Sequence, residues 1–442
     1  MTIKVKHSLL AASVAVALAS PMTVLATNGM NLEGYGPIAT GMGGASMAYD
    51  NGVAAVMNNP ATLGLMKDGE SRLDVAVGNL GPDIDNDAGG FGTAKSGGDS
   101  YFMPAIGYAK RSGQLTYGVG MSAQGGMGTE YAGNTFMGAG TGLATRSEVG
   151  VGRIVAPIVY NVDKNLTIGG SIDYVWATMD LQMAASATQV NNMIQPGTTL
   201  SLPGAGWTAA YIDFTDDNDF SGKAGGAGFA GKIGLTYKVS NEISIGATYH
   251  TETNMGDLET SGSGAGLSLY NGATPFGPTT FGKMAVNDFQ WPSSLGVGMA
   301  YKQDKFMIAA DVKTINWSDV MSSFNMTFSA GGAVAIMAMP QNWEDQTVIQ
   351  IGGSYKLTSA TTLRAGVNSA SNPIPNSTVN PLFPATVENH YTFGVGHNLS
   401  KMSAVNFSLA IAPEVSVTSS NAPNTVTTHA QTNWQVMYTQ KF

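Results

Sequence analysis

The sequence predicts an all-β transmembrane protein, a fourteen-stranded antiparallel outer-membrane β-barrel plugged by a small N-terminal hatch with short helices. Three observations predict this fold. Apolar and polar residues alternate with a period of two along most of the chain after residue 70. Short turns alternate with long loops, as in barrels with periplasmic turns and external loops. No stretch after the leader reaches the roughly 18 apolar residues that a membrane-spanning helix needs.

Residues 1–26 have the pattern of a secretory signal peptide. Lys4 and Lys6 give a basic start, residues 9–19 are apolar, and the segment ends in small residues. A transmembrane anchor is the alternative, but the apolar core is short and is interrupted by Pro21. We expect cleavage before Thr27, which removes two Lys and changes the formal charge from -9 to -11.

Residues 27–70 are predicted to form the hatch, because they precede the first strand and do not alternate. Apolar stretches at 41–45 and 53–57 suit short helices packed against a wall, and Pro60 ends the second of them. A solvated periplasmic tail is the alternative, but such a tail would be less apolar. A barrel of fourteen strands is wider than one that side chains fill, so it has a lumen that must be left open or blocked, and these residues are the obvious filler.

Residues 71–442 are predicted to form the barrel. Alternation is clearest in the last strand, where Trp434, Val436 and Tyr438 share one face. The chain ends on Phe442 in the same phase, which resembles the signal that barrel-assembly machinery recognises. The predicted strands are 72–79, 101–110, 114–123, 146–160, 164–183, 227–239, 242–255, 284–302, 305–318, 342–357, 360–369, 387–398, 402–415 and 429–442.

Composition excludes several classes of protein. Only 12% of the residues are charged and 57 are Gly, which is unlike an ordinary soluble enzyme. The chain has no Cys, so a disulfide framework and cysteine metal sites are excluded. Its acidic charge disfavours nucleic acid as a partner. We predict no cofactor and no metal site.

Motifs along nearly the whole mature chain resemble the FadL/TodX family of outer-membrane transporters for hydrophobic compounds. The ordered set is more specific than any one motif: GMGGA at 41–45, DN at 50–51, NPA at 59–61, WP at 291–292, NWSD at 316–319, NWED at 342–345, LRAGV at 363–367 and PIP at 373–375. The resemblance implies a fourteen-stranded barrel closed by an N-terminal hatch, mainly monomeric, in the outer membrane of a Gram-negative bacterium.

The function implied by the resemblance is passive uptake of hydrophobic small molecules, long-chain fatty acids above all. Burying one methylene yields about 0.8 kcal/mol, so a sixteen-carbon tail yields on the order of 12 kcal/mol and one deep pocket would trap it. We therefore expect graded sites. The outer one is predicted on loops 184–226 and 256–283, with Trp207, Phe214, Leu267 and Phe276; packing of the loops on themselves is the alternative.

A tighter pocket is predicted between wall and hatch, at Thr27, Asn28 and Met30. A gate is predicted at Asn59, Pro60 and Ala61. The family implies lateral exit into the outer-membrane lipid beside a kinked third strand. We assign the kink to Gln124, Gly125 and Gly126, because glycine is common at kinks and bulges. The alternative is that these glycines only begin an ordinary loop.

A carboxylate ligand would need a cation that faces the lumen. Arg364 and Lys313 alternate opposite apolar residues and are predicted to point inward, and Arg153 is a third candidate. Pairing with neighbouring acids such as Asp173 is the alternative for each of them.

Other functions stay open at this point. An aromatic or alkane hydrocarbon channel of the same family is the first alternative, and a general porin is more remote. An outer-membrane lipid hydrolase is also remote, because none of the His residues lies in a nucleophile motif; no catalytic residue is predicted.

Overall fold

The computed structural model describes residues 28–218, 221–421 and 423–442. The predicted signal peptide and Thr27 lie outside the described residues. None of the helices in the described part of the chain is long and apolar enough to cross a membrane.

The described chain is almost entirely strand. The strands are β1 Ser71–Asp87, β2 Thr93–Lys95, β3 Tyr101–Ser112, β4 Leu115–Tyr131, β5 Thr145–Asn161, β6 Leu166–Ser186, β7 Ala209–Phe214, β8 Ala224–Lys238, β9 Ile243–His250, β10 Asn254–Met255, β11 Leu258–Thr260, β12 Ala265–Asn271, β13 Thr274–Pro275, β14 Thr280–Asn287, β15 Ser294–Gln303, β16 Phe306–Ile315, β17 Ser323–Ala330, β18 Ala333–Pro340, β19 Gln346–Lys356, β20 Thr361–Ala370, β21 Asn389–Asn398, β22 Ser403–Thr418 and β23 Val426–Lys441.

The helices are short. The α-helices are α1 Pro37–Thr40, α2 Ala187–Met193 and α3 Trp317–Val320. The 3-10 helices are η1 Val53–Val56, η2 Pro60–Leu65, η3 Gly89–Phe91 and η4 Phe136–Gly138.

The predicted count of fourteen strands is wrong. The described strands form one 23-stranded sheet, and a closed circuit of antiparallel neighbours passes through eighteen of them. The circuit runs β1-β3-β4-β5-β6-β7-β12-β14-β11-β8-β9-β15-β16-β19-β20-β21-β22-β23 and returns to β1. The all-β barrel class of the prediction holds.

Three of the four additional strands lie in segments that were predicted as loops, and the fourth arises because the predicted strand 284–302 is two separate strands, β14 and β15. β7, β11 and β12 fall within 184–226 and 256–283, and they have only 6, 3 and 7 residues. Runs this short carry too few alternations to be detected from sequence. β6 also pairs directly with β8 over residues 166–179. The strands β7, β12, β14 and β11 therefore form a second, longer path between β6 and β8, past the end of their direct pairing.

The outward faces carry the apolar residues, which is the reverse of a soluble barrel. Along β21, Tyr391, Phe393 and Val395 are 46%, 52% and 43% exposed, whereas the intervening His390 and Thr392 are buried. Apolar side chains that face outward on an antiparallel sheet are typical of a wall in contact with lipid.

Residues 28–70 lie inside the circuit of strands, because their contacts reach strands on every side. Helix α1 packs on β21, β22 and β23, η1 packs on β1, β3, β4 and β5, and η2 packs on β4, β5, β6 and β8. The approach is close. A Cβ atom on Gly352 of β19 would lie 2.2 Å from the Met42 carbonyl oxygen, and one on Gly246 of β9 would lie 1.9 Å from the Met47 carbonyl oxygen. Glycine lets the inner segment pack directly on the wall.

Candidate functional site

The wall of the barrel is interrupted between β3 and β4. These strands pair from their turn only as far as Ala105 and Ser122. Beyond that point, residues 101–104 pair with β1, and residues 123–131 pair with β5. We call the separation of these two segments the wall window.

The wall window is closed again at its far edge. The Gly97 N–H donates to the Glu130 carbonyl at 2.8 Å, and the Glu130 N–H donates to Ser96 Oγ at 3.1 Å. The window is therefore an opening within the wall and not a fraying of the rim.

A β-bulge and the start of the described chain form the inner edge of the window. The register of β4 against β5 shifts between Ala123 and Gly125, which leaves Gln124 as the extra residue. The Gly126 N–H donates to the Met30 carbonyl at 3.2 Å, and Asn31 forms a bridge with Gly125. A Cβ atom on Gly125 would lie 2.0 Å from the Met30 carbonyl oxygen, so only glycine permits this approach.

A cavity of about 320 Å³ lies at the window. Its lining includes inner residues such as Leu32 and also Phe102 and Met121, which are 49% and 38% exposed on the outer face. The cavity therefore reaches from the lumen through the wall. Most of the lining is apolar, with Met30, Leu80, Met103, Met127, Val149, Val151 and Trp176.

One end of the cavity is polar. Glu33, His429, Gln431 and Asn433 line it, and Glu33 is only 1% exposed. Glu33 Oε2 accepts a hydrogen bond from Asn433 Nδ2 at 3.4 Å. Burial raises the pKa of Glu33 to about 7, because the charged form loses its hydration.

A cluster of cationic side chains lies beside the cavity on the lumenal face. Arg153 Nη1 contacts Asp173 Oδ2 at 3.0 Å, and Lys232 Nζ donates to the same oxygen. Arg153 Nε also donates to the side-chain oxygen Oε1 of Gln124. The backbone carbonyl of Gln124 accepts a hydrogen bond from Tyr35 Oη at 2.8 Å. The ion pairs thus hold the bulged residue of β4 in place.

Lys313 lies against this cluster. It lines a small cavity with Arg153, Lys232 and His250. Among the described residues, no carboxylate lies within 4 Å of its amine, although Asp311 is on the same strand. Asp311 instead accepts from the Ser46 and Met47 N–H groups at 2.6 and 3.0 Å.

The turn at Asn59-Pro60-Ala61 joins the inner segment to the wall. Asn59 caps η2 by accepting from the Ala61 N–H at 3.1 Å. Its Nδ2 donates to the Met47 carbonyl at 2.8 Å and to the Leu235 carbonyl of β8 at 3.0 Å. The side chain therefore connects two parts of the inner segment with the barrel, and its role as a gate stays a prediction.

A family model described as "Outer membrane protein transport protein (OMPP1/FadL/TodX)" matches residues 14–441. The chain belongs to this FadL/TodX family. It is therefore an outer-membrane β-barrel of a Gram-negative bacterium, in a family of channels for hydrophobic small molecules.

Solved structures of the FadL/TodX family superpose on nearly the whole chain. The toluene transporter TodX of Pseudomonas putida is 30% identical, with a TM-score of 0.83 over 93% of this chain and 99% of that one. The toluene transporter TbuX of Ralstonia pickettii is 30% identical, with a TM-score of 0.77 over the same shares. A FadL homologue of Pseudomonas aeruginosa is 15% identical with a TM-score of 0.71, which shows the fold alone.

A shorter stretch resembles a curated protein of Chlorobium limicola, an "Uncharacterized protein in phosphoenolpyruvate carboxykinase gene 5'region". The two are 58% identical over 65 residues, which are 15% of this chain and 32% of that relative. The match adds no function.

The residues predicted for the outer site of this FadL/TodX-family chain pack within the loops. Phe214 is fully buried, and Leu267 pairs with Ile212 across β12 and β7. Trp207 Nε1 donates to the Pro203 carbonyl at 2.7 Å, and Phe276 packs near Gly206. Capture of ligand by these loops stays a prediction.

The structure separates Arg364 from the other predicted cations. It lies beneath Gly41 and beside Gly394 and Gly396, and it does not line the cavity at the window. Arg153 and Lys313 lie together, as described above. Asn28 is buried near the inner edge of the window, where its Nδ2 donates to the Leu32 carbonyl at 3.3 Å.

The chain end joins the first strand. Phe442 exchanges backbone hydrogen bonds with Ser71 at 2.9 and 3.3 Å, and its side chain is 65% exposed. Recognition by assembly machinery and a monomeric state stay predictions. The described residues contain no cluster of three or more His, Asp or Glu side chains that could hold a metal ion.

Sequence reasoning missed Glu33, His429 and Lys232 as residues of the site. Glu33 carried a signal, because residues 28–66 contain only two acids, Glu33 and Asp50. The sequence around His429 and Lys232 gave no such signal, since it does not distinguish them from other polar residues on alternating strands.

Proposed function

We propose that the chain admits neutral hydrophobic molecules of the size of monoaromatic hydrocarbons and releases them through the wall window. One observation carries the proposal. The cavity joins lumen and outer face, and its charged lining among the described residues is acidic only, with Glu33 and Glu148 and neither Lys nor Arg. The lining offers a ligand carboxylate no cationic side chain among the described residues, whereas a hydrocarbon ring meets mainly apolar side chains.

The magnitude of burial supports a passive route for such a ligand. A seven-carbon arene gains on the order of 5 kcal/mol on full burial, at about 0.8 kcal/mol per carbon. That corresponds to a dissociation constant of about 0.1 mM, so release needs no energy source.

The proposed route begins at the outer loops and passes the inner segment. The ligand then occupies the cavity beside Met30 and leaves past Gln124, Gly125 and Gly126 into the outer-membrane lipid. Exit into lipid keeps the apolar surface out of water throughout. The relatives TodX and TbuX, described as toluene transporters, support this substrate class.

Long-chain fatty acids are the second candidate. The observation that favours them is Lys313, which has no carboxylate within 4 Å among the described residues and lies beside Arg153 and Lys232. A headgroup bound there would leave the tail to extend toward the cavity at the window.

The test links the two sides of the wall window. The chain has no Cys, so Phe102→Cys with Met127→Cys supplies the only thiols. We expect a reducible bifunctional thiol reagent to lower uptake of radiolabelled toluene to the background of a Gram-negative host that lacks its own transporters of this family. Reduction of the linker should restore uptake.

The control pair is Tyr108→Cys with Val119→Cys, which are direct neighbours on the joined part of β3 and β4. Linking them should leave uptake unchanged. Toluene uptake that survives a complete link across the window would exclude this exit. Uptake of oleate but not of toluene by the unmodified protein would favour the second candidate.

A further inference from the structure

The polar end of the cavity contains two hydrogen-bond acceptors without a donor. Glu33 Oε1 is buried and receives no hydrogen bond from another described residue, while Oε2 has the long contact with Asn433 and the carboxyl group also contacts its own backbone N–H. His429 Nε2 is also buried and has no hydrogen-bond partner in the described part of the chain. The two side chains are 1% and 6% exposed and line the same cavity.

The tautomer of His429 follows from its other nitrogen. Nδ1 lies 2.8 Å from the Pro384 carbonyl oxygen, which only accepts hydrogen bonds. Nδ1 therefore carries the proton, and in the neutral ring Nε2 is an acceptor with its lone pair unused.

Two buried acceptors at one end of an apolar cavity are costly unless a donor reaches them. An unpaired buried polar group costs about 1–3 kcal/mol, and a charged one costs more. Wall packing does not require this arrangement, because most of the cavity is lined by Met, Leu, Val and aromatic side chains. The arrangement suits a ligand with one donor on an otherwise apolar body.

We propose that the cavity selects aromatic molecules that carry a single hydroxyl group, with the hydroxyl donating to Glu33 or His429 and the ring lying among the apolar residues. This inference rests on the proposed function and narrows its substrate class. A site that hydrogen-bonds a hydroxyl discriminates strongly against an analogue without it, because the buried acceptors then stay unpaired.

The experiment compares p-cresol with p-xylene, which differ by a hydroxyl group in place of a methyl group. Dissociation constants of both are measured on the full mature barrel folded in detergent. We expect the ratio of the p-xylene constant to the p-cresol constant to fall about tenfold in Glu33→Met. His429→Phe removes the second acceptor and should lower the same ratio, which keeps the test valid if the first variant does not fold.

Asp83→Asn is the control. Asp83 lies between Pro82 and Ile84 of the cavity lining, but its own side chain is more than half exposed and contacts Lys95 Nζ at 2.6 Å, so its replacement should leave the ratio unchanged. If both test variants bind p-xylene and keep the original ratio, the hydroxyl preference is wrong while the hydrocarbon channel stands. If the unmodified protein binds neither compound, the proposed function fails as well.

Discussion

Two polar regions of the lumen lie close together but are built in opposite ways. In the cationic cluster, Arg153 and Lys232 share Asp173, so each of these two cations has a carboxylate partner. At the polar end of the cavity, the Glu33 carboxyl group has no cationic partner among the described residues and contacts only the Asn433 amide and its own backbone N–H. Both regions touch the same inner segment, through Tyr35 and through Glu33 itself.

The difference separates a structural role from a binding role. A compensated cluster fixes geometry: through Gln124 it holds the bulge of β4 beside the window. An uncompensated group destabilises the protein until a ligand or a proton reaches it. Changes to the first region should therefore affect stability, and changes to the second should affect ligand choice and pH dependence.

The largest effect is expected for Asp173→Asn. This change leaves the charges of Arg153 and Lys232 buried without a carboxylate between them. Removing one partner of a buried ion pair costs about 3–5 kcal/mol, and we expect a loss of that order in the free energy of unfolding. Urea unfolding of the barrel in lipid vesicles measures it.

Asp83→Asn is the control for Asp173→Asn. Asp83 also contacts a Lys, at 2.6 Å from Lys95 Nζ, but both side chains are more than half exposed. No measurable change in stability is expected, because solvent screens the pair. Equal effects of the two substitutions would show that burial does not determine how much these ion pairs contribute to the free energy of unfolding.

A smaller effect is expected for Glu33→Gln, and it should depend on pH. Burial raises the pKa of Glu33 from 4.5 to about 7, so the folded state holds the proton more tightly than the unfolded state. Wild-type stability from this group is therefore present below pH 4.5 and is lost as the pH rises through 7. Relative to wild type, Glu33→Gln should gain at most about 3 kcal/mol above pH 7 and little at pH 4.5.

The measurement is the difference in unfolding free energy between variant and wild type at several pH values. Glu148→Gln, which removes an ion-paired carboxyl group from the same cavity, should not reproduce the gain at high pH. A difference that is flat from pH 4.5 to 8 would mean that a donor satisfies Glu33 in the protein without ligand.

Alternation predicted the barrel because the lipid sets a strict rule for the outer face. Tyr391, Phe393 and Val395 share the exposed face of β21, as the pattern required. The strand count was wrong for two reasons. The short strands β7, β11 and β12 are held by their neighbours in the sheet and not by a periodic pattern of their own, and the predicted strand 284–302 is divided into β14 and β15.

The site was less predictable than the fold. Alternation tells which side chains point into the lumen, but not where along the lumen they lie or which other side chains they meet. Alternation gives an inward direction to Arg364 and to Lys313 alike, but Arg364 lies next to Gly41, and Lys313 lies beside the cluster of Arg153 and Lys232. Glu33 is positioned by an irregular segment that packs on glycines of several strands. The path of such a segment cannot be predicted from a periodic sequence pattern.

The smallest effect is expected for Lys313→Met, which tests whether this lysine belongs to the compensated cluster. It has no carboxylate within 4 Å among the described residues, so removing its charge breaks no ion pair and should cause no loss in the free energy of unfolding. Lys232→Met should cost more, because Lys232 donates to Asp173. Toluene uptake should be unchanged in Lys313→Met. Weaker binding of oleate in that variant alone would assign Lys313 to a carboxylate ligand, and a stability loss equal to that of Lys232→Met would instead place it within the structural network.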